Sequence, residues 1–206
     1  MKFSDLVDKT ANLSCFRTRY LAAGENLAQI RLQLNRWKKE KKIVRLAKSV
    51  YSLNQPYIKI KPDIFAIAAA LKSASYISMQ SALSYYGLIP EHIYQHIGVT
   101  TGRGQEYNTP LLDIKFYHIP QRLFWGYRSL PLNTDNPIFM ASAEKALLDL
   151  LYFTTGPIDF RFIEELRLQN IENLDCTVLK VYAQKFSSHR IETAADAFIH
   201  WINKEI

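Results

Sequence analysis

Leu27, Ile30, Leu34 and Trp37 recur at the i, i+3, i+7 spacing of one buried helix face. The stretch "LAQIRLQLNRWKKEKK" is therefore predicted to be a helix, with Gln29, Arg31, Asn35, Arg36 and Lys39 on its opposite side. Upstream, "MKFSDLVDKTAN" reads as a helix with Ser4 as cap, Asp5 near the N-terminal dipole, and Phe3, Leu6 and Val7 along one side. Between them "CFRTRYLAAG", which carries Arg17 and Arg19, fits a second short helix stopped by Gly24. Downstream the period changes. Ile43, Val44 and Leu46 in "IVRL" favour extended backbone, and "AK" leaves room for a tight turn into "SVYSL". Three helices followed by a two-stranded hairpin is the order of a winged helix-turn-helix.

The segment "NQPYIKIKPD" has two prolines and little helical pattern, and is expected to be a linker. Beyond it, "DIFAIAAALK" predicts a helix capped by Asp63. "SYISMQSALSYYGLIPEH" predicts another, from Ser78 to Gly87, with Pro90 beyond. Extended segments follow at "YQHIGVTT", "LLDIKFYHI" and "RLFWGYRSL", with "GRGQEYN" as a polar turn between the first two. "IFMASAEKALLDLLYF" reads as a strand end entering a helix at Ser142, in which Leu147, Leu148 and Leu151 are core candidates, and further helices complete the tail. The fold class expected is α+β: a winged helix-turn-helix over residues 1–54, a linker at 55–62, and a mixed α/β module with a helical tail over 63–206.

Composition narrows the class. Of 206 residues 48% are hydrophobic and 13% aromatic, enough for a packed core. No apolar run approaches the ~18 residues of a membrane span. The opening "MKFSDLVDKT" lacks a signal-peptide core. Cys15 and Cys176, far apart and each in a helical context, suit a reducing compartment better than a disulfide or zinc framework. A cytoplasmic protein is expected. Charge is uneven: residues 1–61 hold 14 Lys+Arg against 4 Asp+Glu, a balance of +10, while 62–206 hold 12 against 15, a balance of −3. Arg36–Leu53 alone has seven basic residues and one acid, Glu40. Such a run is usually a solvated face, but in this helix–hairpin context it points to nucleic acid, whose phosphates release counterions when Lys and Arg neutralise them. The candidate DNA contacts are Arg17, Arg19, Gln29, Arg31, Asn35, Arg36, Lys39, Arg45 and Lys48, the last two near the wing.

Enzymatic alternatives are weaker. Asp113 and Lys115 form a D-x-K triplet on a predicted strand, and with Glu91 upstream could bind Mg²⁺ as in PD-(D/E)xK nucleases. Alternating charge on a strand more often marks its solvent face. His92 and His96 have zincin spacing, but Ile93 stands where the motif requires Glu. Glu144 and Asp149 are five apart, on different helix faces, and suit a cap-region charge and a helix-end hydrogen bond. Phe124, Trp125 and Tyr127 could stack bases, but an aromatic-rich strand is more often core or interface. There is no Walker loop, no G-x-G-x-x-G and no G-x-S-x-G. No catalysis, cofactor or metal is expected. A pure protein-interaction adaptor is a third class, disfavoured by the basic surplus.

Several of these segments, taken in order, resemble the AbiEi-type antitoxins of bacterial abortive-infection systems. "LNRWKKEKKIVRLAKSVYSL" is similar to that family's "L-x-R-L…G-x-I-x-R…G-x-Y" winged-helix ending, followed by "YISMQSALSYYGLIPE", "FWGY" and "ASAEKALLDLLYF". The family's two glycines near the turn and wing appear here as Lys42 and Ser49 or their neighbours. The resemblance implies an N-terminal winged helix that binds operator DNA of its own promoter and represses its operon. It also implies a C-terminal domain that counteracts a cognate toxin of nucleotidyltransferase type.

Overall fold

A computed structural model of the chain describes residues 1–22, 26–90, 93–130 and 137–205. It is α+β, with two sheets. Contacts divide it into two compact units. The first is built mainly from Met1–Ser73 with Glu106–Ile114, the second mainly from Ala74–Gln105, Lys115–Leu130 and Phe139–Ile206. Among the described residues no helix is long and apolar enough to cross a membrane.

The first unit runs α1 (Phe3–Thr10), β1 (Phe16–Arg17), a 3-10 turn (Thr18–Ala22), α2 (Leu27–Lys39), β2 (Ile43–Ala47), β3 (Val50–Leu53) and α3 (Ile64–Leu71). Its sheet is antiparallel in the order β1-β3-β2, with Phe16 opposite Tyr51 and Ile43 opposite Leu53. Asn26 starts α2 by accepting the Ala28 N–H at 2.9 Å. The helix buries Ile30, Leu34 and Trp37 against Leu6, Phe16, Leu21, Ile43 and Leu53. Leu27, expected in that stripe, is 44% exposed and lies outside this core.

Two further expectations are corrected here. Ser4 does not cap α1; Lys2 is the N-cap, and its N–H donates to Asp5 Oδ2 at 2.7 Å. "CFRTRYLAAG" is not one helix. Phe16 and Arg17 are drawn into the sheet, where Phe16 is buried and stacked on Tyr51, and only Thr18–Ala22 coils, as a 3-10 turn. Tertiary strand pairing overrides local propensity, so Cys15 precedes a strand instead of sitting in a helix. Gly24, the expected stop, lies outside the described residues.

The stretch 54–62 is tied down. Ile58 joins the core, Lys59 N–H donates to Ala11 O at 2.9 Å, and Asn54 Nδ2 donates to Lys41 O at 3.1 Å. Asp63 caps α3 as expected, accepting Ala66 N–H at 2.9 Å. Sequence pattern groups α3 with the second module, yet it is bonded within the first unit: Arg17 donates to Ala70 O at 2.7 Å, and the Cys15 thiol faces Ala66 O at 3.9 Å. Both cysteines are free.

From Ser75 onward the chain forms β4 (Ser75–Ile77), α4 (Met79–Tyr85), β5 (Gln95–Thr100), β7 (Asp113–His118), β8 (Tyr127–Leu130), β9 (Ile138–Ala141), α5 (Ala143–Phe153), α6 (Phe160–Glu165), α7 (Cys176–Lys185) and α8 (His189–Glu205). With β6 (Gln105–Asn108) these strands form a sheet in the order β6-β7-β5-β4-β9-β8. β4 runs antiparallel to β5, with Tyr76 opposite Val99, and parallel to β9, with Ile77 opposite Met140. Neither β4 nor β6 is legible from the pattern. "SYI" is three residues long, and "QEYN" sits within what reads as a polar turn. α4 ends as expected: Gly87 takes φ +69°, its N–H reaching Ser84 O and that of Leu88 reaching Leu83 O. Ser142 caps α5, whose Leu147, Leu148 and Leu151 are fully buried.

α2 ends in the same double-bonded cap. Lys41 N–H donates to Lys38 O at 3.0 Å and Lys42 N–H to Trp37 O at 2.9 Å, with Lys41 at φ +56°. Left-handed backbone costs an L-residue about 1–2 kcal/mol, partly offset because glycine loses more entropy on folding. Lys41→Gly is expected to raise stability by up to about 1 kcal/mol, read as a higher urea midpoint with unchanged slope. A lower midpoint would contradict the strain.

Candidate functional site: a basic cavity and a buried ion pair

All nine side chains named as candidate DNA contacts are exposed: Arg17, Arg19, Gln29, Arg31, Asn35, Arg36, Lys39, Arg45 and Lys48. They fall into three sets. Arg17, Arg19 and Arg31 converge from β1, the 3-10 turn and α2 on one cavity of about 290 Å³, which Thr18, Leu27 and Ser49 also line. Asn35 and Lys39 occupy the outward face of α2, with Gln29 and Arg36 on its exposed flank. Arg45 and Lys48 belong to the hairpin, where Arg45 Nε donates to Ala47 O at 3.2 Å.

Backbone bonding builds the cavity. Thr18 N–H donates to Ser49 O at 2.9 Å, which fixes the hairpin turn beside the 3-10 turn. Ser49 adopts φ +72°, so the turn closes without the glycine that such a position favours. Three guanidiniums sharing one cavity repel one another, and an anion placed among them removes that repulsion while accepting charge-assisted hydrogen bonds. Arg17 also keeps Ala70 O as a partner, so it holds the unit together as well as contributing charge. Arg36 is less available than its position suggests. Its Nε pairs with Glu40 Oε1 at 2.9 Å, and Lys42 closes on Glu40 Oε2 at 2.8 Å. Lys42 and Arg36 together hold the Glu40 carboxyl below the usual carboxylate range.

The D-x-K pair sits on β7. Asp113 is exposed, and the Lys115 ammonium lies 4.7 Å from the ring centroid of Tyr117. Glu91 and His92 lie outside the described residues. Among the described residues no group of three or more His, Cys, Asp or Glu could hold a metal ion.

The second unit contains a polar centre that sequence pattern missed. Lys145 and Asp149, one turn apart on α5, are both fully buried and pair with each other. Asp149 Oδ2 accepts from Ser78 Oγ at 2.7 Å and from Tyr76 OH at 3.0 Å, and Lys145 Nζ donates to Tyr76 OH at 3.0 Å. The rings of Trp125 and Phe186 each stand 4.9 Å from Nζ. Gly126, at φ +74°, passes so close that an added Cβ would lie 3.0 Å from Lys145 Cγ. Asp149 is thus not the helix-end hydrogen-bonding group expected. Glu144 does bond a neighbouring segment, accepting Asp175 N–H at 3.2 Å. Phe124 and Tyr127 pack on Tyr76 at centroid distances of 5.1 and 4.9 Å, so the half-buried "FWGY" covers the buried centre. Ser78 is the N-cap residue of α4 as expected, but its hydroxyl goes to Asp149 and not to the helix backbone. The available clue was an i, i+4 Lys–Asp pair within the otherwise apolar "KALLDLLYF".

Loss of solvent pushes the Asp149 carboxyl above its ordinary value and the Lys145 ammonium below its own, while each partner's charge pulls the other back. A raised carboxylate value means stability lost as pH rises through it, and a lowered ammonium value means stability lost as pH falls through it. At neutral pH the ionised pair is therefore a net cost relative to the unfolded chain, tolerated because each charge has its partners. Asp149→Leu is expected to cost about 3–5 kcal/mol, since it strands a buried ammonium. Lys145→Met combined with Asp149→Leu is expected to recover at least about 2 kcal/mol of that loss. Urea denaturation of the two variants at neutral pH checks it; a double variant no more stable than the single would show that the pair is not coupled.

A scan against family models finds no match to this chain, and a search of curated proteins finds none.

Proposed function

We propose that the chain is a DNA-binding repressor whose first unit is a winged helix-turn-helix. In this reading the outward face of α2 enters the major groove, and the β2–β3 hairpin lies along the backbone as the wing. The observation that carries it is the convergence of Arg17, Arg19 and Arg31 on one cavity beside the hairpin turn at Ser49. That arrangement suits a backbone phosphate next to a helix aimed at base edges. The β1-β3-β2 sheet, with α2 immediately before the hairpin, supports the same reading. So does the +10 balance of residues 1–61.

We further propose that it is the antitoxin of an AbiE-type pair, repressing its own operon and counteracting a nucleotidyltransferase-type toxin. This half rests on the resemblance of "YISMQSALSYYGLIPE", "FWGY" and "ASAEKALLDLLYF". Those segments supply Tyr76, Ser78, Trp125, Lys145 and Asp149, the buried polar centre of the second unit and its aromatic wall.

Gel shifts with the full chain and the DNA upstream of its own reading frame test the first half. Arg19→Ala with Arg31→Ala is expected to weaken all duplexes alike and to flatten the plot of log K against log salt by about two phosphate equivalents. An unchanged slope would remove the cavity from the interface. For the second half, the full chain is expected to restore growth to cells expressing a nucleotidyltransferase-like toxin encoded beside it, and the same double variant is expected to do so equally well. Failure of both proteins to rescue would refute the antitoxin assignment; rescue by the wild type alone would place neutralisation in DNA binding.

A further inference from the structure

Leu32 stands out on α2. It is 70% exposed, whereas Ile30 and Leu34 on either side are fully buried. At 3.6 residues per turn Leu32 lies nearly opposite the Ile30–Leu34–Trp37 stripe, at the centre of the outward face. Its neighbours one turn away, at i±3 and i±4, are Ala28, Gln29, Asn35 and Arg36. All four are exposed. A lone leucine on a surface is ordinary. This one is flanked by two exposed amide side chains, Gln29 and Asn35, and by the Arg36 guanidinium, with Arg31 and Lys39 also exposed on the helix. Charge on this face favours a polyanion over an apolar protein groove. Its single large apolar group needs an apolar counterpart within that polyanion, and in the major groove of duplex DNA the thymine C5-methyl is that group. Asn and Gln side chains, for their part, match the donor–acceptor edge of adenine.

We infer that Leu32 is a specificity-determining residue that packs on a thymine methyl in an A·T pair, beside adenines read by Gln29 or Asn35. The inference rests on the winged-helix reading above and adds to it the base composition at the centre of the site. It does not involve the arginine cavity, which contacts phosphate whatever the sequence. Leu32 would thus set which duplex is preferred, while Arg19 and Arg31 set how tightly any duplex is held.

The test uses the full chain and duplexes that it recovers from a random-sequence pool. Each thymine of the recovered site is replaced in turn by deoxyuridine, which removes the methyl group and leaves the pairing edge intact. At one or two positions the wild type is expected to lose about three- to fivefold in affinity, the worth of withdrawing one methyl from an apolar contact. Leu32→Ala should bind thymine and deoxyuridine duplexes equally, and Leu32→Met should regain the discrimination. Alanine is a better helix former at an exposed position, so the variant keeps the fold. If wild type and Leu32→Ala lose equally on deoxyuridine, or if wild type loses nothing, the contact is not made by Leu32 and the inference fails while DNA binding stands. If Leu32→Ala instead dissociates a self-associated form of the chain and leaves the discrimination intact, the face belongs to a second copy and the inference fails. If no duplex is enriched and none is bound, the DNA-binding proposal fails with it.

Discussion

Burial of Ile30, Leu34 and Trp37 fixes the rotation of α2, and the first unit depends on that rotation. Each of these side chains contributes roughly 1.5–3 kcal/mol by leaving water, and all three sit on one stripe. With the stripe inward, geometry leaves Ala28, Leu32, Asn35 and Lys39 outward, with Gln29, Arg31 and Arg36 on the flanks. Rotating the helix by one residue would bury a charge and expose Trp37. The outward face of α2 is thus held by the same packing that holds the unit together.

Two backbone turns convert that rotation into a site. The double-bonded cap at Lys41 reverses the chain after α2 and delivers Ile43 to the core. The bond from Thr18 to Ser49 then brings the tip of the hairpin back to the 3-10 turn that carries Arg19. Both turns place a non-glycine residue in left-handed backbone, Lys41 and Ser49. Sheet and core supply enough native contact to hold two strained residues at a cost of about 1–2 kcal/mol each.

Different logic governs the second unit. Its centre holds an ion pair, two hydroxyls and an aromatic wall, in which every charged atom has a partner and none meets solvent. Such a centre adds little stability, while losing either charged partner would leave the other buried and unpaired. Tyr76 and Ser78 come from β4 and its end, Lys145 and Asp149 from α5, and Trp125 from the loop before β8. The pair therefore joins three separate chain segments. The phenol of Tyr76, pushed well up by burial and by the neighbouring Asp149, remains a neutral donor throughout.

Local chemistry determined much of this by itself. The period of α2, the Asp63 and Ser142 caps, the left-handed stop at Gly87 and the hairpin at 43–53 all follow from residues within a turn of one another, so sequence order alone reveals them. The α+β class and the basic first third follow from the same source. Tertiary structure decided the rest, because it depends on partners far along the chain. Phe16 and Arg17 became a strand only because Tyr51 and Val50 lay beside them. β4 exists because β5 and β9 flank it, and Ile58 is buried because the first unit's core accepts it. Arg17, Arg19 and Arg31 were legible as basic residues but not as one cavity, since backbone bonding between Thr18 and Ser49, 31 positions apart, brings their elements together. Lys145 and Asp149 were visible as charges on an apolar helix, and only the 69–73 residues separating them from Tyr76 and Ser78 hid their partners. Hydrogen bonds and packing act through space, and a sequence displays neighbours along the chain alone.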